Sequence, residues 1–217
     1  MNIRTITALT LATGCGLANA EDFDIVGGQT SVLLDTDTLA AAASLNLSSV
    51  SPDVIAPGEL GASSVAFGIN ARDASMLPTT FSYDASLSSF SGAIEHTGSV
   101  FFNGDSVEVG NFTIGYDGAR VGGDRSGFFV ESTTGIAAIL FDVAAPSFVN
   151  ADASSLIIEA DLLVSSEFAG FLSDNGLASA DLTGADVGDA RVNGVVPTPG
   201  ALAVLGMGGL LASRRRR

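Results

Sequence analysis

The stretch Ser155-Leu-Ile-Ile-Glu-Ala-Asp-Leu-Leu-Val-Ser165 decides the fold class of this chain. Successive side chains of a β-strand point to opposite faces of a sheet, and apolar and polar residues alternate along this stretch. Ser155, Glu159 and Asp161 would lie on one face. The other face would carry the apolar residues Leu156, Ile158, Ala160, Leu162 and Val164. The pattern predicts an antiparallel strand with one buried and one solvated face.

The same alternation continues on both sides of this strand, with Gly, Ser and Asn between the segments. Residues 92–102 and 106–116 are predicted to form a hairpin, because Asn103-Gly-Asp105 between them favours the positive φ angles of a tight turn. A bulge near Gly110-Asn111 would return Phe112 to the face of Val109. Further strands are expected at residues 31–34, 64–69, 80–84, 127–131, 136–143 and 190–195.

Two short helices complete the prediction. Residues 39–45 and 167–172 have the most helical composition, and Ser165 or Ser166 would cap the second helix. Segments 48–61 and 173–189 are rich in Ser, Gly, Pro and Asp and are expected to be surface loops. Together the segments predict an all-β domain, an antiparallel β-sandwich or a jelly-roll-like fold, over residues 21–194.

The segment 21–194 is strongly acidic. It holds all 24 acidic residues of the chain, no lysine, and only four arginines, so its formal charge is −20. Such a surface repels phosphate backbones, which excludes nucleic acid as an expected partner. The charge is explained by solubility or by adaptation to salt or to Ca²⁺ outside the cell, and specific cation binding is the alternative. The arginines are Arg72, Arg120, Arg125 and Arg191.

Residues 1–20 have the layout of a secretory signal peptide. Arg4 precedes an apolar run at residues 6–12, and Ala18-Asn-Ala20 forms a small-x-small cleavage site. We therefore expect the secretory translocon and signal peptidase as partners, with cleavage after Ala20. The only cysteine, Cys15, lies within this segment, so disulfides and thiol chemistry are not expected in the exported form. Acylation of Cys15, as in a lipoprotein, is the alternative.

The segment 195–217 contains three features in order: Pro197-Thr-Pro-Gly200, an uncharged apolar stretch, and Arg214-Arg-Arg-Arg217. The apolar stretch, residues 200–212, would form a short hydrophobic helix that rises only about 20 Å, against a hydrocarbon core of about 30 Å. A permanent lone transmembrane helix is therefore disfavoured. The terminal arginines would stay on the cytoplasmic side and resist translocation.

These residues resemble the PEP-CTERM family of sorting tails, although Thr198 stands where the family usually has Glu. The resemblance covers about a tenth of the chain. It implies recognition by a membrane protease of the exosortase type, transient anchoring, and release to the cell surface or extracellular matrix. An ordinary C-terminal membrane anchor is the alternative, and some ice-binding proteins carry similar tails. The implied recognition residues are Pro197, Thr198, Pro199, Gly200, Arg214, Arg215, Arg216 and Arg217.

The only histidine of the chain is His96. Strand alternation places it on the face of Ile94, Val100 and Phe102, so we interpret it as a hydrogen-bonded histidine at the edge of the core. A metal or haem ligand and a catalytic base are the alternatives. With no second histidine and no Gly-x-Ser-x-Gly elbow, zinc hydrolases and Ser-His-Asp systems lack their partners.

Carboxylate pairs could support glycoside hydrolysis, which needs two Asp or Glu side chains a few ångströms apart. Glu159 and Asp161 would share the outer face of one strand, and Glu95 and Glu108 would be cross-strand neighbours in the hairpin. Sugar clefts usually offer aromatic platforms, however, and the chain has no tryptophan and only two tyrosines. The balance disfavours a hydrolase.

The predicted loop 173–189 supplies weak calcium candidates, because Ca²⁺ prefers oxygen ligands in flexible loops. EF-hand spacing is absent, so solvated acidic side chains are the default interpretation and neither a metal site nor a cofactor is predicted. The candidates are Asp174, Asp181, Asp186 and Asp189.

The sequence thus predicts an exported bacterial cell-surface or extracellular-matrix protein that is adhesive or structural and is not an enzyme. Two alternatives remain open. One is a calcium- or carbohydrate-binding module with extracellular polysaccharide as its partner. The other is a carboxylate-dependent glycoside hydrolase.

Overall fold

Strands dominate residues 22–84 and 86–197, the part of the chain that the computed structural model describes. The helices are α1 Thr36–Ala43 and α2 Ser166–Asp174, and a 3-10 turn covers Gly118–Arg120. The strands are β1 Asp22–Asp24, β2 Gly27–Leu34, β3 Leu47–Val50, β4 Val65–Gly68, β5 Ser82–Asp84, β6 Phe90–Ser91, β7 Ile94–Glu95, β8 Ser99–Phe102, β9 Val107–Tyr116, β10 Arg125–Gly135, β11 Ala138–Ala144, β12 Phe148–Ala151, β13 Ser155–Val164 and β14 Asp186–Val195.

Most strands belong to one antiparallel sheet in the order β3-β8-β9-β10-β11-β13-β14-β2-β4, with β7 paired to β9 and β12 to β13. The sheet is curled, and its ends meet. Ile55, just beyond β3, exchanges two backbone hydrogen bonds of 2.8 Å with Ala66 of β4. The amide of Asn70, just beyond β4, donates to the carbonyl of Glu95 in β7 (2.8 Å). The prediction of an all-β, sandwich-like domain is confirmed, and its two layers are opposite walls of one curled sheet.

Strand β13 lies inside this sheet and has the predicted alternation. It pairs with β14 on one side and with β11 and then β12 on the other. Asp161 is exposed and Ile158 is half-buried on the inner face. The other inward residues are buried: Leu156, Ala160, Leu162 and Val164.

The predicted hairpin turn is confirmed. Asn103, Gly104 and Asp105 all have positive φ, at 55°, 64° and 65°. This conformation suits Asn, Gly and Asp better than it suits residues with larger or branched side chains. Strands β8 and β9 pair directly before and after it, with Phe102 opposite Val107.

The predicted change of face in β9 also occurs. Val109 and Phe112 belong to the same buried cluster, and Asn111 between them has a φ of 49°. The hairpin register shifts by one residue between the β8–β9 pairs and the β7–β9 pairs. This irregularity lets two residues three positions apart both point inward.

Both predicted helices are present, and each begins at a side-chain cap. Ser165 caps α2 as predicted, because its Oγ accepts from the amide of Phe168 (3.0 Å). Asp35 caps α1 by accepting from the amide of Thr38 (2.9 Å), so this helix starts earlier than predicted. The expectation of surface loops was wrong at three places: β3 enters segment 48–61, α2 ends at Asp174 inside segment 173–189, and β14 begins at Asp186 inside the same segment.

Two hydrophobic clusters fill the space inside the curled sheet. The larger one includes Leu140 and Leu162 and is covered by Phe168 and Leu172 of α2. The second lies under the small sheet β1-β5-β6 and includes Tyr83, whose hydroxyl donates to the backbone carbonyls of residues 152 and 155. This second cluster also contains Val196, so the packed part of the chain reaches beyond residue 194.

A buried ion network fastens α2 to the sheet. Nε of Arg120 donates to Asp142 of β11 (2.6 Å), and both terminal nitrogens donate to Glu167 of α2 (2.7 and 3.0 Å). Asp142 is 1% exposed and also faces Arg125 at 3.5 Å. The hydrogen bonds from Arg120 lower the pKa of Glu167 to about 2, and those carboxylates raise the pKa of Arg120. Arg120 and Glu167 therefore stay charged at neutral pH.

We expect Asp142→Ala to lower the free energy of unfolding by about 3 kcal/mol, because it leaves Nε of Arg120 without its acceptor while Glu167 still binds the two terminal nitrogens. Urea titration at pH 7 measures this value. The matched control is Asp24→Ala, which removes the more exposed pair with Arg72 (3.3 Å) and a hydrogen bond from Ser82 (2.6 Å), and it is expected to cost about 1–2 kcal/mol. Equal losses in the two variants would contradict the structural role of the buried network.

Candidate functional site

An interior cavity of about 120 Å³ lies between the walls of the curled sheet. Its lining comes from both hydrophobic clusters and consists mainly of Val, Leu, Ile and Phe side chains. Apolar cavities of about 150 Å³ stay free of water and bind benzene. The cavity is therefore close to the size of one aromatic ring.

His96 lies in the cavity wall and is held by hydrogen bonds at both ring nitrogens. Nδ1 lies 3.0 Å from the carbonyl oxygen of Phe112, which can only accept, so Nδ1 carries the proton. Nε2 therefore accepts from the hydroxyl of Thr30 (2.8 Å). His96 is 1% exposed, and burial lowers its pKa to about 4.

His96 is thus a neutral, hydrogen-bonded core histidine, as predicted. Neither nitrogen is free to bind a metal or haem or to act as a base while these hydrogen bonds are present. The contacts also join Thr30 of β2 to Phe112 of β9, across the closure of the sheet. The role of His96 in this structure is to hold the cavity wall together.

Strand β10 bulges where it passes the cavity. Between Arg125 and Phe129, β10 has two more residues than the facing part of β11. Gly127 lies in this bulge at a φ of 95°, which disfavours any residue with a Cβ. In place of ladder bonds, Oγ of Ser126 donates to the carbonyl of Val143 (2.8 Å). A glycine inside a strand pattern is a known signal for such a bulge, and it was the one available sequence cue.

An aromatic rim of Phe90, Tyr116 and Phe128 lies beside this bulge. The ring of Phe128 lines the cavity and packs against Tyr116 and Phe90, with centroids 5.2 and 5.1 Å apart. Tyr116 is 43% exposed. Pro146 is exposed and also lines the cavity. The cavity therefore extends from the core toward the surface at the rim.

The structure separates one of the predicted carboxylate pairs. Glu95 lies opposite Thr113 and accepts from its hydroxyl (2.6 Å), whereas Glu108 lies opposite Phe101 and accepts from the hydroxyl of Ser99 (2.7 Å). The expectation that these glutamates are cross-strand neighbours was wrong. Glu95 lies in β7, which pairs with the second half of β9, whereas Glu108 lies in the first half of β9, which pairs with β8.

The second pair remains on the outer face of β13. The guanidinium of Arg191 donates to Glu159 (2.5 Å). The carboxylate of Glu159 is therefore engaged in an ion pair and does not form a free carboxylate pair with Asp161. Asp161 lies opposite Asp189 of β14. The pKa of Asp189 is raised by burial first, and then by the charges of Asp161 and Asp186. This is a group of like charges on the outer surface, away from the cavity lining.

The four calcium candidates have separate local roles. Asp181 accepts from the amide and hydroxyl of Thr183 (2.9 and 2.7 Å), and Asp186 accepts from the amide of Gly188 (3.1 Å). Asp174 ends α2, and Asp189 lies in β14. Within residues 22–84 and 86–197, no three His, Cys, Asp or Glu side chains are grouped so that they could hold a metal ion.

Most residues predicted to direct export lie outside the described residues. Pro197 is the last described residue and is exposed. In the described part of the chain, neither helix has the length and apolar character needed to cross a bilayer. The export and sorting residues outside the described part are Ala18, Ala20, Thr198, Pro199, Gly200, Arg214, Arg215, Arg216 and Arg217.

Comparisons with known proteins give a fold and no family. No family model matches the sequence, and no curated protein matches it. The structure is similar to the crystal structure of the C-terminal domain of HtaA from Corynebacterium glutamicum, with a TM-score of 0.52 and 14% sequence identity. The alignment covers 81% of this chain and 99% of that chain. At this identity, the likeness shows a shared fold.

We expect the stability of this protein to fall as the pH is lowered from about 6.5 to about 4. The ordinary pKa of histidine is 6.5 and that of folded His96 is about 4, so between these values only the unfolded chain gains the proton. A pKa difference of this size corresponds to a loss of about 3 kcal/mol. Urea titrations at successive pH values measure it.

The matched variant is His96→Gln, which removes the titrating group and is expected to show a flatter profile over the same range. Carboxylates with a lowered pKa, such as Asp152 and Glu167 at about 2, lose their stabilising effect mainly below pH 4. Their contribution therefore falls outside this window. Parallel profiles for the two proteins would contradict the buried neutral state of His96.

Proposed function

We propose that this chain is an exported bacterial surface or extracellular-matrix protein whose β-domain has a non-enzymatic, adhesive or structural role. The proposal rests on one observation: side chains that could act in proton transfer take part instead in contacts that stabilise the fold. Both nitrogens of His96 bind within the closure of the sheet, and Glu159 is bound by Arg191. Groups held in this way support a stable scaffold better than they support proton transfer.

The proposal of export rests on the two ends of the sequence. Residues 1–20 have the signal-peptide pattern, and residues 197–217 have the proline motif, apolar stretch and arginine cluster of a PEP-CTERM tail. Val196 is buried, and Pro197, which follows it after the last strand, is exposed. A tail that is held in the membrane would therefore keep the β-domain close to the outer surface of that membrane.

The similar solved structure is itself one domain of a larger protein. Because 99% of that domain is covered by the likeness, this architecture is able to serve as a self-contained unit. This supports the division of the chain into a folded domain and two end segments that direct its export.

We expect the exported protein to begin at Glu21 and to lack Arg214–Arg217 when the full chain is expressed in a bacterium with an exosortase. Signal peptidase removes the first segment, and the tail is cut near the proline motif. Intact mass spectrometry of the surface fraction measures both ends. The control replaces the four terminal arginines with serine and is expected to lose tail processing. Surface protein that still ends in Arg217 would overturn the sorting proposal.

Carbohydrate binding is the second candidate function, and the exposed ring of Tyr116 favours it. A tyrosine combines an apolar face, which can stack on a sugar ring, with a hydroxyl that forms hydrogen bonds. Edge contacts from Phe90 (4.9 Å between centroids) and Phe128 hold this ring in one orientation. Extracellular polysaccharide is the corresponding partner.

We expect Tyr116→Ala to weaken binding to extracellular polysaccharide of the native host by at least tenfold if this candidate is correct. Affinity electrophoresis in gels that contain the polysaccharide measures the change. The control is Val121→Ala, which alters another exposed apolar side chain close to the same bulge and is expected to leave binding intact. Equal electrophoretic retardation of the wild type, Tyr116→Ala and Val121→Ala would contradict a role of Tyr116 in polysaccharide binding.

A further inference from the structure

We infer that the interior cavity is a binding site for a small apolar molecule about the size of one aromatic ring, which enters beside the bulge of β10. This inference does not depend on the proposed adhesive or structural role. It follows from the lining of the cavity, its volume and the gap in the strand ladder at the aromatic rim.

The lining selects an apolar ligand. Side chains from opposite walls, such as Phe67, Leu140 and Val192, contact the cavity. The polar side chains of Thr30, His96 and Ser126 also reach the lining, but all three are hydrogen-bonded. Thr30 and His96 are bonded to each other and His96 to a backbone carbonyl, and Ser126 donates to the carbonyl of Val143. A buried water needs two to four polar partners, so this site disfavours water. A ligand without hydrogen-bonding groups loses nothing there.

The volume limits the size of the ligand. About 120 Å³ is comparable to the cavities of about 150 Å³ that accept benzene. A longer or polycyclic molecule would require the walls to separate, and these walls are tied by the contacts of His96 between β2 and β9. The site therefore accepts a single ring or a comparably small hydrocarbon.

The bulge provides the access route. Ladder pairing between β10 and β11 is interrupted between Arg125 and Phe129, and the side chain of Ser126 spans this gap with one hydrogen bond to Val143. Phe128 lies between the cavity and the surface ring of Tyr116. Rotation of one aromatic side chain and loss of one side-chain hydrogen bond would open the cavity without breaking the ladder.

The test uses benzene as the probe and measures its dissociation constant by titration calorimetry and by the shift of the melting temperature. A ligand of the native state must raise that temperature. We expect a rise of several degrees for the wild-type protein in millimolar benzene. We expect at least tenfold weaker binding for Ala160→Leu, because Ala160 lines the cavity and the larger side chain fills it.

Ala190→Val fills the cavity from the neighbouring strand and keeps the test valid if Ala160→Leu does not fold. Val149→Ala alters an exposed side chain of β12 and is expected to bind benzene like the wild type. Pyridine has nearly the shape of benzene but carries a nitrogen that would lose its hydrogen bond to water. It is expected to bind at least tenfold more weakly.

Absence of a benzene effect on the wild-type protein would overturn the inference. Equal binding by the wild type and both filled variants would overturn it as well, because benzene would then lie elsewhere. Ser126→Ala tests the access route: we expect benzene exchange, followed by NMR, to become at least threefold faster. An unchanged exchange rate would show that the ligand enters by another path.

Discussion

The hydrogen bonds of His96 hold the curled sheet closed. Its backbone amide and Nδ1 both donate to Phe112 of β9, and its Nε2 accepts from Thr30 of β2, although four strands separate β9 from β2 in the sheet order. Backbone pairing of Ile69 with His96 reinforces the same junction. Because both ring nitrogens are bonded and the ring is neutral, this polar link can be buried without an unpaired charge.

Closure of the sheet explains the character of the cavity. The two walls are held at a distance by backbone geometry, and the side chains between them leave about 120 Å³ unfilled. The polar side chains that line this space are hydrogen-bonded, Thr30 and His96 at the closure and Ser126 at the bulge of β10, and the remaining lining is apolar. One histidine thus contributes to a stable scaffold and to a site that suits a hydrocarbon better than a polar substrate.

Charged side chains, in contrast to the apolar lining of the cavity, lie mainly toward the outside of the sheet, where arginines pair with some of the carboxylates. The buried Arg120, Asp142 and Glu167 network holds α2, and Arg191 neutralises Glu159 on the outer face of β13. All four arginines of the β-domain take part in such ion pairs. Acidic residues outnumber them sixfold, since the domain contains 24 against four. An acidic exterior thus surrounds an apolar interior, and Tyr116 of the aromatic rim is one of the large apolar side chains exposed at the surface.

The sequence by itself determined the features that depend on neighbouring residues: the alternation in β13, the turn at Asn103-Gly-Asp105 and the Ser165 cap of α2. The short strands β1, β6 and β12 have too few residues to show a period and are defined by their partners. The register that separates Glu95 from Glu108, the closure at His96 and the cavity were decided only by tertiary structure. A local sequence pattern assigns a residue to one face of a strand. The pairing across the closure and the volume of the cavity depend instead on side chains that meet from strands far apart in the sequence.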